Sequence, residues 1–386
     1  MGSGVRDVLG AAAVDDEVLA DLVAAQLGVD AVGLASVTAE VAPYDLDALT
    51  TAGRYWVHGT ATTPDRPELP YRFFVKVVQS WERSPVFQMV PEAMRAEALA
   101  MIPWEREPAV YRSDLGDRLP EGLTMPAARR VADVDTLSAA LWLDAVDVQP
   151  VSWDVRRFAR AAHLLGRLAA SPRVAPLAAI GETPQLHRRY AAGRVAGQVL
   201  PALLDDGFWR HPVLAAGFDT GVRDRLRDAA ARLPGFLDEL DRAALGTSHG
   251  DACPRNLLVR RGCLDDGSFV LIDFGFWGRA PLGFDLSQLL LGEVQTGERA
   301  ASDLPDLEAA VVPAYVAGLA AEGTDVDLAV VQRTHVLLAL LFNGLSAMPF
   351  ELLAGPPDDE AVRVTRERCE MARFLLDLEE STKPLV

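Results

Sequence analysis

The sequence predicts an α+β protein in two lobes, a small antiparallel β-sheet lobe first and a larger, mainly helical lobe after it. Two observations carry this expectation. Short β-branched and aromatic runs crowd into residues 34–79 and recur at 128–148, with the alternation and turn-rich borders of half-buried strands. From about residue 150 the apolar positions recur at helical spacing nearly to the end, apart from one short two-stranded stretch. At 386 residues the chain is also too long for one ordinary core.

Residues 5–28 alternate apolar and acidic positions at helical spacing, which predicts one amphipathic helix and a helical extension over residues 1–30. The runs "LASVTAEVA", "RYWVHGTAT" and "RFFVKVVQS", separated by "PYDLDALTTAG" and "TPDRPELP", predict an antiparallel meander. Helical "PEAMRAEALAMI" and "EREPAVYRSDL" follow, then strands in "ARRVADV" and "AALWLDAVDV". A hinge at "VDVQPVS" then sets the sheet lobe at 31–147 and the helical lobe at 148–386. Inside the second lobe, "HGDACPRNLLVRRGCLDDGSFVLIDFGFWG" predicts strands Asn256–Val259 and Phe269–Ile272 joined at the "DDG" turn.

Composition narrows the function. A hydrophobic content of 50% with 24% charged residues is that of a folded globular chain. Three scattered cysteines, Cys253, Cys263 and Cys369, make neither a disulfide framework nor a zinc ribbon and fit a reducing cytoplasm. The most apolar late stretch, "VLLALLFNGLSAMPFELLAG", is broken by Asn343, Pro349 and Glu351, so no membrane span is expected. A net charge of −18 excludes a duplex-binding surface and steers a cationic small molecule inward. His58, His163, His187, His211 and His335 lack metal-ligand spacing. Of 37 basic residues only Lys76 and Lys383 are lysines. A lone lysine inside the apolar strand "FFVKVV" is therefore a candidate for chemistry that needs a compact ammonium.

The predicted hairpin brings Asp251, just before its first strand, to the same edge as Asp273, just after its second. Two carboxylates and the amide oxygen of Asn256 held side by side suit magnesium and phosphate, because that hard cation takes oxygen ligands and needs only one or two carboxylates. "HGDACPRN" followed by "DFG" resembles the catalytic and metal loops of the protein-kinase fold. The H-G-D form, with an Asp-Leu soon after in "FGFWGRAPLGFDLSQLL" and no A-P-E segment, is similar to the aminoglycoside phosphotransferase and choline-kinase group.

That resemblance implies a bilobal protein-kinase-like fold and roles for named residues. Asp251 accepts the proton of the substrate hydroxyl, Asn256 and Asp273 bind Mg2+, and Lys76 contacts the phosphates of ATP or GTP. Glu107 holds Lys76, with Glu105 and Glu97 as competitors. His249 and Asp285 brace the loop. The strand "LWLDAVDV" becomes the hinge strand, with Leu143 beside the base and the backbone of Asp144 and Val146 offered to it. No G-x-G-x-x-G lies in "APYDLDALTTAGRY", where only Gly53 and the small Thr50, Thr51 and Ala52 let backbone approach phosphate. For the acceptor, Glu293, Glu298, Asp303 and Asp306 suit ammonium groups of an aminoglycoside, and Phe208, Trp209, Phe342 and Phe350 suit a macrolide or quaternary ammonium. The expected partner is thus a small hydroxyl compound, acted on by a monomer or homodimer. Three readings stand: an antibiotic O-phosphotransferase; a metabolic kinase of a sugar, amino alcohol or other natural product; and a non-catalytic nucleotide-binding scaffold.

Overall fold

The amino-terminal stretch is two helices, not one. In the computed structural model, α1 (Ser3–Leu9) runs into a tight turn where Gly10 takes φ 54°, a conformation that favours glycine and ends a helix. Asp15 then caps α2 (Asp16–Leu27), accepting from the Val18 N–H at 2.8 Å, and Gly28 closes it at φ 67°. The periodicity of residues 5–28 continues across this break, which is why it reads as a single helix. The structure describes residues 3–44, 49–263, 267–355 and 357–384.

The chain divides into two compact units, Met1–Arg118 with Thr124–Val148, and Leu119–Leu123 with Gln149–Val386. The first is built on a five-stranded antiparallel sheet. In chain order its strands are β1 (Gly33–Val41), β2 (Thr51–Thr62) and β3 (Leu69–Gln79), then, past the two-residue β4 (Leu123–Thr124), β5 (Ala128–Asp135) and β6 (Ser138–Asp144). The spatial order is β1-β2-β3-β6-β5. Side chains alternate across a strand, so Tyr71, Phe73 and Val75 of β3 face one side. There they form a core with Val57, Ala61 and Trp142 and with Leu9, Leu19, Leu22 and Val23 of the two amino-terminal helices. Lys76 falls on the opposite face, paired in register with Arg54 of β2 and Leu141 of β6. Helices α3 (Glu92–Met101), α4 (Arg106–Arg112) and α5 (Leu115–Arg118) complete this unit.

The second unit is mainly helical: α6 (Val155–Ala170), α7 (Leu186–Tyr190), α8 (Leu200–Leu204), α9 (Pro212–Gly217), α10 (Thr220–Leu240), α11 (Phe284–Gln295), α12 (Leu304–Ala321), α13 (Leu328–Ala339) and α14 (Asp359–Ser381). Two strand pairs interrupt them: β7 (Leu245–Ser248) with β10 (Gly278–Pro281), and β8 (Leu257–Leu258) with β9 (Phe269–Leu271). Strands β8 and β9 are shorter than the hairpin predicted from sequence, because Pro254–Asn256 turns as a 3-10 helix before the ladder begins. Asp265 and Asp266 of the predicted turn, and residues 45–48 of the predicted phosphate loop, lie outside the described residues.

Among the described residues one helix, Ala301–Ala321, is long and apolar enough to cross a membrane by length and composition. It is not the stretch that composition singled out. It packs as a core element: a Cβ at Gly318 would stand 2.0 Å from the His163 carbonyl oxygen of α6, and one at Gly166 would stand 2.1 Å from that of Tyr315. Two glycines thus let α6 and α12 cross at backbone contact.

Candidate active site

In the second unit the β7–β10 and β8–β9 pairs hold the loop of residues 249–256 between them. Gly278 lies opposite Ser248 at the loop's entry, and the Ile272 N–H donates to the Asn256 carbonyl at 3.2 Å at its exit. Gly250 takes φ 86°, and a Cβ there would meet the Phe276 carbonyl oxygen at 2.1 Å. Glycine alone fits between histidine and aspartate.

Asp285, in the first turn of α11 and buried, organises the loop from one side. Its carboxylate accepts from the Ser248 hydroxyl at 2.8 Å, the His249 N–H at 3.0 Å and the Gly250 N–H at 2.8 Å. His249 is fully buried. Its Nε2–H donates to the Ile272 carbonyl at 3.0 Å, and Nδ1 accepts from the Asp251 N–H at 3.3 Å, which sets the tautomer. Burial lowers its pKa against the charges of Asp285 and Asp273. The ring is a neutral strut, with Phe274 packed on it at 5.1 Å between centroids.

Asn256 then fixes Asp251. Its Nδ2 donates to the Asp251 carbonyl at 2.8 Å and to Oδ2 of the Asp251 carboxylate at 2.9 Å. With the amide nitrogen so committed, Oδ1 of Asn256 is the atom left to ligate a cation. Asp273 follows β9 in the left-handed region at φ 65°, a conformation found for few residues other than glycine. Its charge reaches both His249 and Cys253. An amide oxygen and a carboxylate are oxygen donors of the kind a hard divalent cation takes, so the residues present fit magnesium. The Cys253 thiol is pushed up to about 12 by burial and by Asp251, so it stays protonated as filler.

In the first unit Lys76 donates to both oxygens of Glu107, at 2.9 and 2.7 Å, with both residues buried. Glu105, at the start of α4, and Glu97, on α3, are exposed. The structure thus selects Glu107 from the three glutamates that the sequence left open. The Asp144 N–H donates to the Ala127 carbonyl at 2.9 Å, so that N–H takes no part in holding a base. Its carboxylate is gripped by Arg129 at 2.9 and 2.7 Å and by Gln26 at 3.0 Å. Val146 lies two residues past the end of β6, and Leu143 is buried opposite Phe74.

The four acidic residues expected at the acceptor do not form one anionic site. Glu293 and Asp303 both pair with Arg299, at 2.8 and 3.1 Å, and Glu298 pairs with Arg255 of the loop. Asp306 is exposed in the first turn of α12. The aromatic set divides as well. Trp209 is core, its Nε1–H donating to the Leu203 carbonyl at 3.0 Å. Phe208 contacts Phe350 at 5.6 Å, whereas Phe342 stacks on Tyr190 at 4.3 Å and meets Phe284, the neighbour of Asp285, at 5.3 Å. Ser248, Arg129, Gln26 and Tyr190 carry no motif signal in the sequence, since each acts through partners far along the chain.

The chain thus combines an antiparallel sheet unit with a buried lysine–glutamate pair and a helical unit with Asp251 and Asn256 on a braced loop and Asp273 after β9, an α+β architecture. Residues 117–323 match the phosphotransferase enzyme family, and the chain belongs to it. It is therefore a phosphotransferase enzyme. No curated protein is detectably similar in sequence. Among solved structures it is similar to the GDP complex of aminoglycoside 2'-phosphotransferase-IIIa, with 15% identity over 94% of this chain and 99% of that one and a TM-score of 0.49. It is also similar to an ethanolamine kinase from Plasmodium vivax, with 12% identity, 88% and 82% coverage and a TM-score of 0.49. A third is an amicoumacin kinase in complex with AMP-PNP, Ca2+ and Ami, with 14% identity, 94% coverage of each chain and a TM-score of 0.44.

Proposed function

We propose that the chain moves the γ-phosphate of ATP or GTP to the hydroxyl of a small natural product such as an antibiotic, with Asp251 as the base. The observation that carries this reading is the pair of hydrogen bonds that the Asn256 amide donates to Asp251. It aims one carboxylate and leaves one amide oxygen for a cation, the two tasks that phosphoryl transfer to an alcohol sets for this loop. Asp251 accepts the hydroxyl proton and orients the attacking oxygen. Asn256 and Asp273 hold magnesium, which when bound neutralises charge on the phosphate oxygens. Lys76, kept extended by Glu107, contacts the phosphates, and the segment after β6 meets the base. His249 and Asp285 touch neither substrate and keep the loop in shape.

A polycationic aminoglycoside calls for carboxylates ready to take ammonium groups, whereas Glu298 is paired with Arg255, and Glu293 and Asp303 share Arg299. The half-buried Tyr190–Phe342 stack favours the second reading, a kinase of a less charged, partly apolar alcohol. Magnesium-dependent consumption of ATP and GTP against aminoglycosides, macrolides, sugars and amino alcohols, with product masses read directly, tests both. A phosphorylated alcohol is the expected product. Nucleotide hydrolysis without a phosphorylated acceptor across the panel counts against the transfer reading.

A further inference from the structure

The family match begins at residue 117 and so leaves the two amino-terminal helices without an assigned task. Packing alone accounts for Leu9, Leu19, Leu22 and Val23. It does not account for Gln26, a polar residue in the last turn of α2 whose amide reaches 46 and 118 residues along the chain.

The β3–β6 ladder ends at the pair Phe73 and Asp144, after which β6 leaves the sheet. The next residue of β3, Arg72, still receives the Ala145 N–H on its carbonyl, and Gln26 completes the pairing there. Its Oε1 accepts from the Arg72 N–H at 3.2 Å, and its Nε2 donates to the Arg72 carbonyl at 2.9 Å, so one side-chain amide extends the ladder past the end of β6. The same Nε2 donates to Oδ1 of Asp144 at 3.0 Å, and the Ala145 N–H donates to the same Arg72 carbonyl at 3.2 Å. Arg129 holds the other side of Asp144. The point where the chain departs β6 is thus pinned from α2, β3 and β5 together.

We propose that Gln26 is a positioning residue for nucleotide binding, by which the amino-terminal helices set the direction of residues 144–148 and hence the backbone that meets the base. The inference rests on the nucleotide reading above and adds a residue that acts without touching the nucleotide. A lost bridge lets the segment sample other directions, which weakens base binding and leaves the transfer step alone.

The test compares wild type, Gln26→Ala, Gln26→Glu and the double variant Gln26→Glu with Asp144→Asn. Binding of the nonhydrolysable analogue AMP-PNP is measured by calorimetry, KM and kcat by product formation, and residues 144–148 by hydrogen exchange. Gln26→Ala is expected to raise the analogue's Kd and the nucleotide KM about tenfold, the effect of one or two exposed hydrogen bonds. Its kcat is expected to stay within about twofold, with faster exchange at 144–148. Gln26→Glu is expected to be worse, since it sets a carboxylate against both Asp144 and the Arg72 carbonyl. Adding Asp144→Asn relieves only the first of these and takes the charged partner from Arg129, so it recovers part of the loss at most. Unchanged Kd in Gln26→Ala, or a loss confined to kcat, overturns the inference. A wild-type protein that binds no nucleotide instead defeats the functional reading, so the two failures are distinguishable.

Discussion

Replacing Asp285 by alanine tests the architecture of the loop most severely. The carboxylate accepts three hydrogen bonds, from the Ser248 hydroxyl and the N–H groups of His249 and Gly250, in a place where Ser248, His249 and Asp285 are all buried. Alanine removes every acceptor at once. Each buried donor left without a partner costs about 1–3 kcal/mol; with the hydroxyl free to turn elsewhere, the two N–H groups set a loss of about 2–6 kcal/mol. Asparagine is the finer probe. Its Oδ1 keeps Ser248 and Gly250, but the new amide nitrogen faces the His249 N–H, so one donor is orphaned and the loss is about 1–3 kcal/mol. Urea unfolding followed by circular dichroism reads both, and in a domain of this size each kcal/mol moves Tm by about 2–4 °C. Alanine and asparagine variants both within about 0.5 kcal/mol of wild type would show that Asp285 does not hold the loop.

Glu107→Ala removes the carboxylate paired with the buried Lys76 ammonium and is expected to cost about 3–5 kcal/mol. The double variant Lys76→Met with Glu107→Leu regains most of that stability in denaturant titration yet stays inactive in phosphoryl transfer. Gly250→Ala forces a side chain into the Phe276 carbonyl at positive φ and is expected to yield little soluble protein, or a loss above about 3 kcal/mol by urea titration. Burial lowers the pKa of His335 from 6.5 to about 4, against a hydrogen bond with Gly283. The unfolded state therefore binds the extra proton first, so stability is full above pH 6.5 and falls toward pH 4. That one group withdraws about 2 kcal/mol by pH 5, and His335→Leu is expected to flatten this part of the pH profile of the urea midpoint.

The sheet strands were legible because each is a short apolar, β-branched or aromatic run bounded by turn residues; β1, β2, β3, β5 and β6 all fall on runs that their sequence marks. The loop residues were legible because a cluster of polar side chains before a short apolar strand has few structural uses. Lys76 stood out only because arginine serves almost everywhere else. What stayed hidden depends on partners distant in the chain. Glu298 reads as an available anion until Arg255, 43 residues earlier, is seen beside it. The break at Gly10 is silent because the apolar period runs through it. The long apolar α12 escaped notice because Pro305 and Pro313 interrupt it in sequence, although neither stops the helix.

Whether Asp251 is the base of a phosphoryl transfer is read most directly by a single-turnover comparison of wild type and Asp251→Asn, with labelled γ-phosphate and an acceptor alcohol found by the substrate panel. Equal nucleotide affinity in the two proteins is expected, with transfer slowed by about 10²–10⁴ in the variant. Transfer at the wild-type rate, with binding intact, would contradict that role and remove Asp251 from the reaction.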